Sequence, residues 1–183
     1  KERRDYTVLL AGGVDKQSNL YLTDCYWERA SADKQVEAML QLAATRHPLL
    51  WWAGRDHITK SIGPFLRKRM IETNIFFNLV EVTPSGDKET RAQSIAARMA
   101  MGLVWFPKGA LWAEKAVEEL MRFPNGTHDD FVDAFSMFGL GLQSQFAASA
   151  APQTKEPKYG TLGWIKQQDA LARRHGAIKF GGW

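Results

Sequence analysis

Residues 6–12 form an apolar, β-rich run and residues 20–27 alternate hydrophobic and polar positions, on either side of the turn-rich Asp15-Lys16-Gln17-Ser18-Asn19. The chain therefore opens on a predicted β-hairpin. The spacing then turns helical: after Ser31 or Asp33, Val36, Met39, Leu40 and Ala43 fall on one side, and the pattern stops at His47-Pro48, as a helix does before proline. Leu49-Leu50-Trp51-Trp52-Ala53 reads as a short central strand buried on both faces, and its far end is a candidate site. Residues 58–70 predict a helix with Ile62, Phe65, Leu66 and Met70 on one side and Pro64 in its early turns. A strand over 75–82, a turn at Pro84-Ser85-Gly86-Asp87 and a helix over 88–101 ending at Gly102 follow. Residues 103–106 form a short strand, and residues 112–123 a helix with Ala116, Val117, Leu120 and Met121 turned inward.

The last amphipathic stretch, Thr127-His128-Asp129-Asp130-Phe131-Val132-Asp133-Ala134, carries the candidate chemistry. Asn125-Gly126 breaks the chain, Thr127 is placed to cap the next helix, and Asp130 three residues on resembles a capping box. A helix is expected from His128, with Val132, Phe135, Phe138 and Leu142 as its buried stripe and Asp130 and Asp133 on one face. Two carboxylates in one small volume repel and raise one pKa, so the pair suits a bound divalent cation or an offsetting helix N-terminus. Acidic first turns also occur with no ligand, and both readings stand on these residues alone.

Composition narrows the class. With 183 residues, 45% of them hydrophobic, the chain has enough apolar mass for one ordinary domain. Strands interleaved with helices indicate an α/β fold, a mixed sheet with helices on both faces, over residues 1–145. Residues 146–183 read as a linker rich in Ala, Ser, Pro and Lys, then a basic C-terminal tail with a short helix over 162–174. No apolar run is long enough to cross a bilayer, and Lys1-Glu2-Arg3-Arg4-Asp5 is no signal peptide, so a soluble intracellular protein with no membrane partner is expected. The lone Cys25 excludes an intrachain disulfide and a cysteine zinc cluster, and reads as a buried core thiol. Net charge is only +4, but Arg67-Lys68-Arg69, Lys166 and Arg173-Arg174-His175 cluster in a way that suits either a polyanionic partner or a solvated surface. No phosphate-binding Gly-x-x-x-x-Gly-Lys-Ser/Thr loop and no serine nucleophile elbow occurs. Trp51, Trp52, Trp105 and Trp112 read as core rather than base-stacking residues.

The order of these pieces resembles the nuclease domain of viral, chiefly tailed-phage, terminase large subunits. Over residues 5–142 the matching parts are the hairpin, Lys60-Ser61-Ile62-Gly63-Pro64-Phe65-Leu66, Asp87-Lys88-Glu89-Thr90-Arg91-Ala92, Gly102-Leu103-Val104-Trp105-Phe106-Pro107 and His128-Asp129-Asp130-Phe131-Val132-Asp133-Ala134. The resemblance implies a ribonuclease H-like fold whose acidic residues hold two Mg²⁺ or Mn²⁺ ions and cut concatemeric double-stranded DNA during genome packaging. On that reading Asp133 is the last metal ligand, Asp130 a second ligand or orienting group, and His128 and Asp129 outer partners. Lys88, Arg91 and Lys60 are the phosphate-contacting candidates, although Lys88 and Arg91 also fit a solvated first helical turn. The family's first aspartate lies on a strand preceding the hairpin, and no residue here matches it. Its second carboxylate position reads Gly54, with Asp56 two residues on as the substitute ligand and His57 beside it. The resemblance further implies an upstream ATPase domain, a portal protein and a small terminase subunit as partners, and a place in the host cytoplasm on the procapsid. Two alternatives share these residues: a Holliday-junction resolvase-like nuclease, and a noncatalytic DNA-binding or portal-docking module with a degraded metal site.

Overall fold

Alternation along two strands sets the layering of the molecule. The computed structural model describes residues 6–54 and 62–148, with residues 161, 162, 164–166, 168 and 169. The chain divides into two compact units, Lys1–Ala147 and Ala148–Trp183, and the described part of the second is mostly helical. Strands β1 (Thr7–Val14), β2 (Leu20–Glu28), β3 (Trp51–Gly54), β4 (Leu79–Val82) and β5 (Val104–Trp105) are interspersed with helices α1 (Ala32–Arg46), α2 (Gly63–Thr73), α3 (Lys88–Ala100), α4 (Leu111–Arg122) and α5 (Asp130–Ala148). The expected hairpin is antiparallel β1–β2, from Thr7 opposite Glu28 to Val14 opposite Leu20, with a register shift between Ala11 and Gly12. Its turn is held by the Asp15 carboxylate, which accepts hydrogen bonds from the backbone N–H of Gln17 and of Asn19, an Asx turn.

Strand neighbours point to opposite faces. Val8, Leu10, Val14 and Trp52 pack against a core of Leu20, Leu22, Ile95, Ala116, Phe131, Phe135 and Leu142. Leu9, Trp51 and Ala53 join Val36, Met39, Leu40, Ile62 and Leu66 on the other side. Helices α1 and α2 therefore cover one face of the strands and α3, α4 and α5 the other, the helices-on-both-faces α/β class read from the sequence. The strands lie in two sheets rather than one: β1-β2-β5, and parallel β3-β4. Several elements are shorter than expected. β4 is confined to Leu79–Val82, and β3 begins at Trp51, leaving Leu49 90% exposed. The expected 58–70 helix is described only from Gly63, its earlier residues lying outside the described set.

Two further expectations, the inner face of α4 and the place of Trp105, are corrected. Met121 is 82% and Val117 43% exposed, while Ala113, Ala116 and Glu119 form the inner face of α4. Residues two apart on a helix point about 200° from each other, so turning Glu119 inward turns both apolar neighbours out. The run Arg67-Lys68-Arg69 is partly consumed within the fold: Arg69 binds Glu37 at 2.7 Å and Glu72 at 2.8 Å, tying α2 to α1, and Lys68 lies 3.7 Å from Glu72. Trp105 is 53% exposed and stacks on Tyr21 rather than entering the core. Cys25 is only partly buried, but it packs against the first core, and burial pushes its thiol up to about 12, so it is inert at neutral pH.

The long final helix begins at Asp130, not His128. The cap expected from Thr127 comes instead from Glu119, eight residues earlier, whose buried carboxylate accepts from the N–H of Phe131 at 2.7 Å and of Val132 at 3.2 Å. A carboxylate there answers both the orphan N–H groups and the positive helix end. Farther along α5, two glycines allow close approach. A Cβ on Gly139 would stand 2.5 Å from Ser94 Oγ, and one on Gly141 would stand 2.2 Å from the Trp52 ring.

Glu119→Ala is expected to cost about 1–3 kcal/mol in urea unfolding, because two helix-end donors lose their buried acceptor. Burial raises the Glu119 pKa above its ordinary 4.5 against the opposing pull of those N–H groups. The part of its contribution that this upward shift represents is thus present below that value and lost as pH rises through the folded-state pKa, while the two hydrogen bonds remain. The stability difference between Glu119→Gln and the parent should accordingly move in favour of the variant between pH 4 and pH 7. Gly141→Ala should lower stability by about 1–3 kcal/mol through overpacking against Trp52, measured the same way.

Candidate functional site

The site is built where the two sheets meet the acidic end of α5. A cleft of about 1140 Å³ runs between β1 and β3 and is lined by every residue of both strands, with Arg91, Asp130, Asp133, Ala134, Met137 and Phe138 among its other walls. Contacts along α5 order the strands. The Tyr6 ring meets His128 edge-on at 5.8 Å, and a Cβ on Gly12 would lie 3.3 Å from Phe138 Cζ, so β1 runs in the direction of α5. Trp52 sits at Gly141 and Gly54 at Met137, so β3 runs the opposite way and its C-terminal end points toward Asp133. β1 is the terminal strand of its sheet, so the edge it turns to the cleft has no strand partner among the described residues.

Asp130 and Asp133 share one face, as the three-residue spacing predicts, and both line this cleft. Their side chains are 18% and 43% exposed respectively. The second helix supplies the opposite charge. Asp87 caps α3 by accepting from Thr90 N–H at 2.8 Å, which starts the helix so that Lys88 and Arg91 fall one turn apart on the side facing α5. Arg91 Nη2 donates to Asp133 Oδ1 at 3.1 Å, and Lys88 Nζ lies 3.3 Å from Asp133 Oδ2 while also donating to Asp129. Both oxygens of Asp133 thus face a cation. Hydrogen bonds to Asp129 and then Asp133 raise the Lys88 pKa, outweighing desolvation, so Lys88 stays charged across the neutral range. His128 Nδ1 stands 4.0 Å from Asp130 Oδ2.

Sequence reasoning therefore named five residues that the fold assembles around Asp133 and Asp130: His128, Asp129, Lys88, Arg91 and the end of the Trp51-Trp52 strand at Gly54. Asp56, His57 and Lys60 lie outside the described residues. It missed Glu119, whose glutamate-to-helix-end link is tertiary. The buried Trp52 indole N–H, which also has no hydrogen-bond partner among the described residues, was likewise invisible.

In donor type the site fits a hard divalent ion, since carboxylate oxygens are what Mg²⁺ and Mn²⁺ prefer. In number it is partial: among the described residues no group of three or more His, Cys, Asp or Glu side chains is arranged to hold a metal. Asp130 and Asp133 are the two carboxylates that line the cleft.

Large-terminase nuclease structures from thermophilic phage G20c are similar to the chain at low identity. The cobalt-bound form has 17% identity and a TM-score of 0.46, covering 74% of this chain and 81% of its own. The magnesium-bound form has 18% identity and a TM-score of 0.44, covering 76% and 82%. The Thermus phage P74-26 large terminase nuclease domain has 18% identity and a TM-score of 0.40, covering 72% and 77%. No curated protein sequence matches. Residues 2–140 match the family model described as the terminase RNaseH-like domain, and on that match the chain belongs to the terminase RNase H-like domain family.

Proposed function

We propose that this domain is the endonuclease of a phage terminase large subunit, hydrolysing phosphodiesters of concatemeric double-stranded DNA with divalent metal during genome packaging. The observation that carries the reading is the meeting of Asp130 and Asp133 with the C-terminal end of β3 inside one cleft, beside Lys88 and Arg91. Asp133 and Asp130 hold the metal, with Asp56 as a further ligand, and Asp129 and His128 orient the charges around them. Bound Mg²⁺ or Mn²⁺, two ions in this reading, supplies an activated water and stabilises the leaving oxygen. Lys88, Arg91 and Lys60 meet the DNA backbone, contacts that position a duplex without reading its sequence.

In the packaging machine the domain works with an ATPase domain, a portal protein and a small terminase subunit, on the procapsid in the host cytoplasm.

Supercoiled plasmid incubated with Mn²⁺ tests the reading. Asp133→Ala should lower nicking about a hundredfold or more, since even outer partners of a metal site cost 10- to 100-fold, and should leave unfolding within about 0.5 kcal/mol of the parent. Undiminished cleavage by that variant would remove Asp133 from the site. Cutting confined to four-way junctions would point to a resolvase, and DNA binding without cleavage in the parent to a noncatalytic module.

A further inference from the structure

Asp133 already holds a full complement of positive charge, supplied by another helix. Arg91 occupies one carboxylate oxygen at 3.1 Å, and Lys88 faces the other at 3.3 Å while bridging to Asp129. The geometry points to Lys88 and Arg91 as resident counterions that a divalent ion must displace, so that metal uptake and release of α3's two cations are one linked step. This inference rests on the metal-site reading above.

The argument is one of occupancy and charge. A bound Mg²⁺ takes carboxylate oxygen at about 2.0–2.1 Å, and each Asp133 oxygen already has a cation against it, which the ion would meet at close range. The two cations together bring the same charge as one divalent ion, and three aspartates, Asp129, Asp130 and Asp133, stand at or within a turn of the start of α5. Adding the ion with both cations in place would set a divalent charge close to two positive side chains in a partly buried cleft, where like charges repel strongly. Lys88, 49% exposed on a flexible stem, can withdraw into water readily. Arg91 is held more closely, at 21% exposure within the cleft wall. Close contact between α3 and α5 keeps both opposite Asp133: Ser94 and Ile95, on the next turn of α3, lie against Gly139. Competition is therefore built into how the two helices meet.

Titration of the full chain with Mn²⁺ by calorimetry tests the inference through affinity rather than turnover. An exposed ion pair is worth about 0.2–1 kcal/mol, so Lys88→Gln should tighten Mn²⁺ binding about 1.5- to 5-fold, and the double variant with Arg91→Gln should tighten it further. Lys16→Gln, on the hairpin turn, reports the effect of removing a distant positive charge and should change little. Asp133→Asn should abolish saturable binding. Equal or weaker binding in Lys88→Gln and in the double variant, with Asp133→Asn still binding-deficient, would overturn the competition while leaving the metal reading in place. Absence of saturable Mn²⁺ uptake in both the parent and the double variant would overturn both. Binding that appears only in the double variant would establish the competition outright.

Discussion

Close packing of α5 is the constraint on which the rest of the structure depends. Phe131 and Phe135 are fully buried on it, and Gly139 and Gly141 let α3 and the Trp52 strand approach nearer than any side chain would allow. One helix thereby touches both sheets and a second helix at once. Because its packing is so specific, the few polar residues at its start have little freedom, and Asp130 and Asp133 are delivered to the cleft as a consequence of core geometry. Apolar packing and the candidate chemistry occupy the same six residues of chain.

Electrostatics at this helix start is divided between two faces. On the buried side Glu119 satisfies the N–H groups of Phe131 and Val132. On the cleft side Lys88 and Arg91 neutralise the aspartates. A helix N-terminus can stabilise one added negative charge modestly, and here the inward carboxylate takes that role. The three aspartates then depend on cations, whether side chains or metal. The proposed nuclease function would give that dependence a use, with a divalent ion held by the same carboxylates.

What could be read from the sequence followed from short-range rules. The apolar, β-rich run of Thr7–Val14, the turn at Asp15, the helix opened by Asp87 and the three-residue spacing of Asp130 and Asp133 all involve residues within one or two turns of each other. What escaped depends on tertiary distance. Glu119 serves as a cap only because α4 delivers it to α5, and the same demand turns Val117 and Met121 outward against their apolar character. Arg69 reads as part of a basic patch until Glu37, 32 residues away, is found against it. Lys88 and Asp129 are separated by 41 residues, so phosphate contact and ion pairing are indistinguishable for Lys88 in the sequence. The division into two sheets is likewise a matter of which strands lie side by side, and no local pattern reports it.

The cleft edge of β1 has a consequence for how the protein behaves in a tube. A terminal strand of eight residues turned toward a partly apolar gap offers a row of peptide groups to any extended chain that fits, and natural proteins blunt such edges with charge, proline or a cover. Within Thr7–Val14 there is neither a charged residue nor a proline. Left uncovered, that ladder is a template for self-association, and colloidal stability of the purified domain becomes a reporter of whether the gap is filled.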